Sequence, residues 1–266
     1  MTGGTASDTG TSGGDGSAGD ADYASIGDGY AAYRQPEPEL EAAILKALGD
    51  ARTVVNVGAG AGSYEPRDRH VTAVEPSATM RDQRPAALPP AVAGTAEALP
   101  FAAGAFDAGM TTFSVHQWGD LEKGLAELRR VATGPVVVMT CDPTLLDRFW
   151  LNEYAPEVIA TEASRYPSVE RIGAGLGGAV EVVSLPIPLH CVDRFGEAYY
   201  GRPEGLLDAG ARKANSAWSF VPSHVEDRFV ERLTADLASG EWDRRYGHLR
   251  TQPHFDGSLV LVVGRP

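Results

Sequence analysis

The sequence has few cysteines, no long hydrophobic run and no cluster of basic residues. Its two cysteines, Cys141 and Cys191, form neither a disulfide framework nor a CxxC metal motif, so both are predicted to be small buried apolar groups. No apolar run approaches the roughly 18 residues that a membrane-spanning helix requires, and the N-terminus lacks the basic and apolar regions of a signal peptide. These absences predict a cytoplasmic protein without membrane association and without a bound metal.

Acidic residues outnumber basic ones, 36 Asp and Glu against 23 Lys and Arg, and the formal net charge is -13. Nucleic-acid binding usually requires a basic surface, so neither DNA nor RNA is expected as a partner, and a small or uncharged substrate fits better. Residues 1–22 are almost all Gly, Ser, Thr, Asp and Ala, which predicts a disordered tail with order beginning near Tyr23. Residues 23–266 are then long enough for one sizeable domain.

After the tail, short β-branched runs alternate with amphipathic segments, which predicts a parallel α/β sheet. Strands are predicted in TVVNV, VTAVEP, FDAGMTTF and PVVVMT, with two late strands in AVEVVSLPIPLHCV and SLVLVVG; helices are predicted in EPELEAAILKALGD, in DLEKGLAELRRVA with Asp120 as N-cap, and in DRFWLNEYAPEVIATEASRY with an interruption at Pro156. Residues of about 194–250 lie between the late strands and are mostly helical in pattern. This segment is too long for a hairpin loop and is predicted to be a lid.

A glycine-rich loop follows the first predicted strand, where a doubly wound sheet binds its ligands. Gly58 and Gly60 let the backbone approach a ligand closely, because no Cβ intervenes. The dinucleotide pattern G-x-G-x-x-G would need glycine where Ser63 stands, and Pro66 leaves room for little more than one turn of the helix that would face a diphosphate. Glu75 ends the second strand and can accept hydrogen bonds from both hydroxyls of a ribose. Loop and carboxylate together predict a nucleoside pocket.

Four segments, VVNVGAGAG, AVEPS, GTAEALPF and VHQWGDLEKGLAELRRV, occur in the order and spacing of class I S-adenosylmethionine-dependent methyltransferases. Residues of about 30–141 resemble this family, in particular the group that includes the ubiquinone/menaquinone-biosynthesis type. The resemblance implies a Rossmann-like, seven-stranded, doubly wound α/β sheet whose last strand is antiparallel and lies between two others. It also implies S-adenosyl-L-methionine as cofactor and transfer of its methyl group to a small-molecule acceptor.

The resemblance assigns cofactor contacts from the N-terminal cap to the end of the third strand. Tyr30, Tyr33 and Arg34 would cap the cofactor, and the Arg34 guanidinium could pair with the methionine carboxylate. The methionine part would lie over Asn56, Gly58, Ala59 and Gly60, and the sulfonium over Thr112 and Phe113. The ribose would contact Glu75 and Pro76, and the adenine would contact Thr95, Ala96 and Glu97. Asn56 and Thr95 stand where the family usually has Asp. The helix after the glycine loop is also shortened, because SYEPRDRH leads directly into the second strand.

Methyl transfer from a sulfonium can rely on alignment, and a base is needed only if the acceptor must lose a proton. His116 follows the third predicted strand at the ligand-bearing edge and is the candidate base; alternatively it orients the loop or packs on Trp118. The acceptor pocket is predicted among aromatics of the later segments, which would equally suit a hydrophobic core. These aromatics are Phe149, Trp150, Tyr154, Tyr199, Tyr200 and Trp218.

Two other functions stay open. One is a protein of the same fold that binds S-adenosylmethionine without transferring methyl, such as a cyclase or a regulatory subunit, because fold does not determine function. The other is a nicotinamide oxidoreductase, against which Ser63 and Pro66 argue. Both a monomer and a homodimer are compatible with the sequence.

Overall fold

The computed structural model describes residues 33–266. The predictions made for residues 1–22, for the start of order near Tyr23 and for Tyr30 lie outside this part of the chain. Within it, no helix is both long and apolar enough to cross a membrane. No group of His, Cys, Asp and Glu side chains in residues 33–266 could hold a metal ion.

The described chain combines strands and helices as far as its fourth strand, with no helix between β1 and β2, and is mainly helical afterwards. The helices are α1 (Pro38–Leu48), α2 (Ala78–Asp82), α3 (Leu121–Val131), α4 (Leu151–Tyr154), α5 (Pro156–Arg165), α6 (Val169–Leu176), α7 (Ala209–Lys213), α8 (Ser223–Ser239) and α9 (Glu241–Tyr246). The strands are β1 (Thr53–Val57), β2 (His70–Val74), β3 (Ala108–Thr112), β4 (Val136–Cys141), β5 (Ala179–Ser184), β6 (Ile187–Pro188), β7 (His254–Phe255) and β8 (Leu259–Arg265).

The main sheet has the order β2-β1-β3-β4-β8-β5. The pairs β1–β2, β1–β3 and β3–β4 are parallel, whereas β8 is antiparallel to both of its neighbours, β4 and β5. The prediction of a doubly wound α/β sheet with an antiparallel last strand between two others is confirmed. The strands β6 and β7 pair separately as a short antiparallel ribbon.

The predicted number of seven strands is wrong, because the sheet formed by residues 33–266 has six. The place beside β2 is taken by a single parallel bridge between Val92 and Val74. Val92 donates its N–H to the Ala73 carbonyl at 2.8 Å and accepts from the Glu75 N–H at 3.0 Å. Prolines 85, 89 and 90 precede this bridge, and proline cannot donate to a ladder, so pairing does not extend into a strand.

Successive side chains of the central strands point alternately into two hydrophobic cores, one on each face of the sheet. One core packs α1, the C-terminal helices and β-strand side chains such as Met110 and Met139. The other packs α3 and α6 against the opposite face, with Val138 of β4 and Val262 of β8 fully buried. Burial on both faces explains why these strands read as continuous apolar runs.

Local signals set several helix ends as predicted. Asp120 precedes α3, and its carboxylate accepts the Lys123 N–H at 3.0 Å. The interruption at Pro156 is also observed, since α4 ends at Tyr154 and α5 begins at Pro156. Between β5 and β8 the chain forms β6, three α-helices, several 3-10 turns and β7, and this segment packs on the carboxyl side of the sheet.

Candidate active site

The glycine loop after β1 depends on left-handed backbone at Gly58 (φ 66°) and Gly60 (φ 51°). The loop is fastened to β2, because the Ala59 N–H donates to the Val74 carbonyl at 3.0 Å. No described residue between β1 and β2 is helical; the chain turns inward, and Tyr64 and Glu65 are buried. The loop therefore leaves a hollow where a dinucleotide fold would place its phosphate-binding helix.

A first cavity of about 250 Å³ opens at the carboxyl ends of β1, β2 and β3. Its wall includes most of the residues predicted to contact the cofactor: Arg34, Gly58, Ala59, Gly60, Glu75, Pro76, Thr95, Ala96, Glu97, Thr112 and Phe113. Residues that the sequence reasoning missed also line it, notably Tyr64, Ser114, Gln117, Trp118 and Asp193. An active site at this edge is expected for a parallel sheet.

Glu75 ties the cavity floor to the glycine loop. Its carboxylate accepts the Gly60 N–H at 2.8 Å and the Ser77 N–H at 2.8 Å. Burial raises the pKa of Glu75, and these two donors oppose the rise. The carboxylate oxygens have further lone pairs for ligand hydroxyls, so the same group can hold both the loop and a ribose.

Two predicted cofactor residues, Asn56 and Tyr33, lie outside the wall of the first cavity. The Asn56 amide is buried below the loop and donates to Glu65 Oε1 at 3.1 Å. Glu65 in turn forms a buried ion pair with Arg84 at 2.8 Å. The Tyr33 hydroxyl donates to Asp208 Oδ2 at 2.6 Å, which turns the side chain toward α7. The structure thus gives Asn56 a loop-supporting position and Tyr33 a contact with the late insert.

Arg34 and Asp193 join the start of the described chain to the segment just before the late insert, at the cavity wall. They are 159 positions apart in sequence, and the Arg34 Nε to Asp193 Oδ1 distance is 2.5 Å. Asp193 also accepts the Tyr64 hydroxyl at 2.8 Å. The cluster places a cation and an anion side by side at the cavity wall, which suits a zwitterionic ligand group.

The opposite end of the first cavity is formed by Thr95, Ala96, Glu97 and Gly119. Glu97 Oε1 accepts the Asp120 N–H at 3.2 Å. Burial would raise the pKa of Glu97, but hydrogen bonds from the backbone and from the Thr95 side chain outweigh it and lower the pKa. The ionised carboxylate is therefore retained as a hydrogen-bond acceptor.

A second cavity, of about 60 Å³, lies next to the first. Its wall is mainly apolar and aromatic, with contributions from Phe113, His116, Cys141, Leu146, Phe149, Leu151, Val158, Ile159, Glu162, Tyr166, Phe195, Glu197 and Trp218. Arg34, Phe113 and Gln117 belong to the walls of both cavities. The two cavities therefore adjoin each other at these three side chains.

Phe113 in this shared wall has an unusual backbone. Its φ of 50° is the only positive value at a non-glycine residue in residues 33–266. The ring lies 5.4 Å from the Phe195 ring, and the Arg34 guanidinium lies 5.0 Å from its centroid. Strain of this kind persists where surrounding structure imposes it and is concentrated at functional sites. The conformation places the Phe113 ring between the two cavities.

His116 lies in a 3-10 turn after β3 and lines the second cavity, not the first. Its ring centroid is 4.4 Å from that of Tyr166, and its Nε2 lies 3.2 Å from the Gln117 amide nitrogen. The indole of Trp118 points elsewhere, donating to Ser114 Oγ at 2.9 Å. His116 thus faces the second cavity.

Among the predicted acceptor aromatics, Trp218 and Phe149 line the second cavity. Trp150, Tyr154, Tyr199 and Tyr200 lie outside both cavity walls, packed in the core of the C-terminal helices. Their polar atoms are used internally: the Trp150 indole donates to the Tyr200 carbonyl at 3.0 Å, and the Tyr154 hydroxyl donates to Asp236 at 2.7 Å. Aromatic composition alone does not separate a pocket wall from a core.

The titratable groups that line the second cavity could not be predicted from the sequence. Glu162 and Tyr166 come from α5 and its end, and Glu197 comes from a 3-10 turn of the insert. Burial raises the pKa of Tyr166 and of the Cys141 thiol. No sequence motif identifies Glu162 or Glu197 as a site residue. The available signal was an acidic residue, Glu162, on the otherwise apolar side of a predicted helix, and this signal is weak.

Glu197 should make stability depend on pH. Burial raises its pKa to about 7, although Ser258 donates to it from its N–H and hydroxyl. An unfolded glutamate titrates near about 4.3, so the folded protein binds the extra proton between these values. The contribution of Glu197 to stability should fall, by on the order of 3 kcal/mol, as pH rises from about 4.3 to about 7, and then level off. Melting of the wild type and Glu197→Gln from pH 4 to 8 checks this: the difference between them should change with pH, and a constant difference would contradict it.

The fold and the site are thus those of an α/β protein with two adjoining cavities at the carboxyl ends of its parallel strands. Residues 55–134 match a family model described as a methyltransferase domain. A solved structure from Anabaena variabilis, assigned as a methyltransferase from an antibiotic biosynthesis pathway, is 28% identical, with 88% of this chain and 100% of that chain covered and a TM-score of 0.82. Together with the fold, these similarities indicate a class I S-adenosylmethionine-dependent methyltransferase.

More distant structures share the fold alone. An S-adenosylmethionine-dependent methyltransferase from Thermotoga maritima is 15% identical, with 91% of each chain covered and a TM-score of 0.50. The [4+2]-cyclase SpnF is also 15% identical, with 91% of this chain and 90% of that chain covered and the same TM-score of 0.50. None of the curated proteins compared with the chain has a significantly similar sequence.

Proposed function

We propose that the protein transfers the methyl group of S-adenosylmethionine to a small-molecule acceptor held in the second cavity, by in-line displacement. The observation that carries the proposal is the shared wall: Arg34, Phe113 and Gln117 line both cavities. When bound, S-adenosylmethionine supplies a methyl group that is already activated toward a nucleophile. The protein's task is therefore mainly alignment and exclusion of water.

The first cavity fits the parts of the cofactor in turn. Glu75 would accept the ribose hydroxyls, and Gly58 with Gly60 would pass under the methionine part, where side chains would obstruct it. Arg34 would pair with the methionine carboxylate and Asp193 with its ammonium, since the two stand side by side. The family usually has Asp at the position of Asn56, but here the Asn56 amide is hydrogen-bonded to Glu65. Asp193 would therefore supply the carboxylate in place of that Asp.

The second cavity would orient the acceptor. Phe113, Phe149 and Trp218 provide apolar contact, and the insert of about 194–250 would cover the site as a lid, since Phe195 and Trp218 of this segment line the cavity. His116 would accept a proton from an acceptor that must lose one. If it does, His116→Ala should slow transfer by roughly a hundredfold; full activity across pH would mean that alignment suffices.

Calorimetric titration with S-adenosylhomocysteine and with NAD, followed by transfer of labelled methyl groups to a metabolite panel, tests the proposal. Binding of S-adenosylhomocysteine without NAD binding, and label in a small molecule, is the expected result. Tight NAD binding without S-adenosylhomocysteine binding would indicate an oxidoreductase. Cofactor binding with no transfer to any acceptor would favour the non-transferring alternative.

Gly58→Ala should weaken S-adenosylhomocysteine binding by about tenfold or more. A Cβ at Gly58 would lie 1.8 Å from Ser114 Oγ and 2.7 Å from Ser114 Cβ, so the loop must move. Gly49→Ala is the matched control: Gly49 also has a positive φ, of 59°, but a Cβ there meets no atom within 4 Å. The control should lose stability and keep its affinity; equal affinities for both variants would show that the loop does not contact the cofactor.

A further inference from the structure

We infer that the acceptor carries an ammonium group, which Glu162 and Glu197 recognise inside the second cavity. The inference rests on the proposed function, since it takes this cavity as the acceptor site. Two carboxylates from separate elements, helix α5 and the turn Gly196–Tyr199, line one small space together with aromatic and apolar side chains. A carboxylate held away from water is costly unless a cation or several donors compensate it.

The protein compensates these carboxylates only in part. Glu197 receives the N–H and hydroxyl of Ser258 at 3.0 and 2.6 Å, which are neutral donors. The Tyr166 hydroxyl lies near Glu162 and opposes the rise in its pKa that burial causes. Within residues 33–266, no Lys, Arg or His nitrogen lies within 4.0 Å of either carboxylate.

The nearby arginines are engaged elsewhere. Arg34 also lines the cavity, but its guanidinium is paired with Asp193. Arg165 donates to Ser216 Oγ at 2.9 Å and lies over the Phe220 ring at 4.4 Å. Their positive charges act on Glu162 only at a distance, lowering a pKa that burial raises. Neither arginine is ion-paired with Glu162 or Glu197, so these two carboxylates are available to a positively charged ligand group.

The rest of the wall suits the same ligand. The rings of Phe149, Phe195 and Trp218 offer apolar contact for a carbon skeleton and negative ring faces for an ammonium. A carboxylate or phosphate would meet two acids instead. The volume of about 60 Å³ is well below the roughly 150 Å³ of a cavity that holds benzene, so the cavity takes the amine-bearing head of the acceptor and not all of it.

The test compares three probes of one skeleton, 2-phenylethylamine, 2-phenylethanol and phenylacetate, titrated into the full-length protein saturated with S-adenosylhomocysteine. The ammonium probe should bind about tenfold or more tightly than the alcohol, and the carboxylate most weakly. Glu162→Gln and Glu197→Gln should each reduce the preference for the ammonium. Glu157→Gln is the matched control, because Glu157 is on the same helix but exposed and paired with Arg228.

Affinity for S-adenosylhomocysteine, measured on every variant, shows that the fold is intact. The inference is overturned if the alcohol or the carboxylate binds as well as the ammonium, if none of the three binds while S-adenosylhomocysteine does, or if the preference persists in the Glu162→Gln/Glu197→Gln double variant. Failure of S-adenosylhomocysteine itself to bind the wild type is a different result, which refutes the proposed function.

Discussion

Glu75→Ala is expected to lower the affinity for S-adenosylhomocysteine by at least about tenfold. In the proposed complex the change removes up to two charge-assisted hydrogen bonds to the ribose, each worth about 1.5–3 kcal/mol. It also releases the Gly60 and Ser77 N–H groups, both held at 2.8 Å, so the glycine loop loses an anchor. Titration calorimetry at a temperature where the variant remains folded measures the effect.

Glu75→Gln serves as the graded control, because it keeps the length of the side chain and one acceptor oxygen but removes the charge. Its affinity should lie between those of the wild type and Glu75→Ala. Glu97→Gln tests the other end of the cavity, where Glu97 accepts the Asp120 N–H at 3.2 Å. If folded Glu75→Ala binds as tightly as the wild type, the ribose does not contact this carboxylate.

Arg84→Met is expected to have the largest effect on stability, lowering the free energy of unfolding by about 3–5 kcal/mol. Arg84 and Glu65 form a bidentate pair at 2.8 and 2.9 Å, with 3% and 1% of their side chains exposed. The substitution leaves Glu65 buried with only the Asn56 amide as a donor. Denaturant unfolding followed by circular dichroism provides the measurement.

The double variant Arg84→Met/Glu65→Gln should recover part of this loss, because a neutral amide replaces the uncompensated charge. Arg228→Met is the matched control: its pair with Glu157 is 46% and 42% exposed, and such pairs contribute about 0–1 kcal/mol. A loss at Arg84 no larger than that at Arg228 would mean that the pair does not stabilise the loop.

The Glu65–Arg84 pair also explains how the shortened segment after the glycine loop is supported. Where a longer helix would pack, the chain turns Tyr64 and Glu65 inward. Arg84 donates to Pro89 O at 3.1 Å as well as to Glu65, so it joins the loop to the segment that replaces the seventh strand. The two departures from the family pattern are thus physically connected.

Local features of this protein could be predicted because they depend on neighbouring residues. The left-handed glycines after β1, the acid at the end of β2 and the N-cap at Asp120 each follow from residue type and short spacing. Alternation of apolar runs predicted the parallel sheet. The prediction of a seventh strand was wrong because it came from the family pattern, whereas in this chain the prolines before Val92 prevent a β-ladder beside β2.

The acceptor side was less predictable, because pockets and cores are built from the same side chains. Trp150 and Tyr200 are buried and hydrogen-bonded within the C-terminal core, while Trp218, equally apolar, lines a cavity. The apolar character of these residues predicts that they are buried, but it does not predict which of them border a cavity.

The sequence by itself determined the sheet, the glycine loop and the carboxylate at Glu75, since each requires only a run of residues and its immediate neighbours. Tertiary structure alone decided that Asp193 meets Arg34 across 159 positions and that Glu162 and Glu197 share one cavity. Such meetings depend on the path of the insert over the sheet edge. That path is set by many weak packing contacts acting together, and no short motif encodes them.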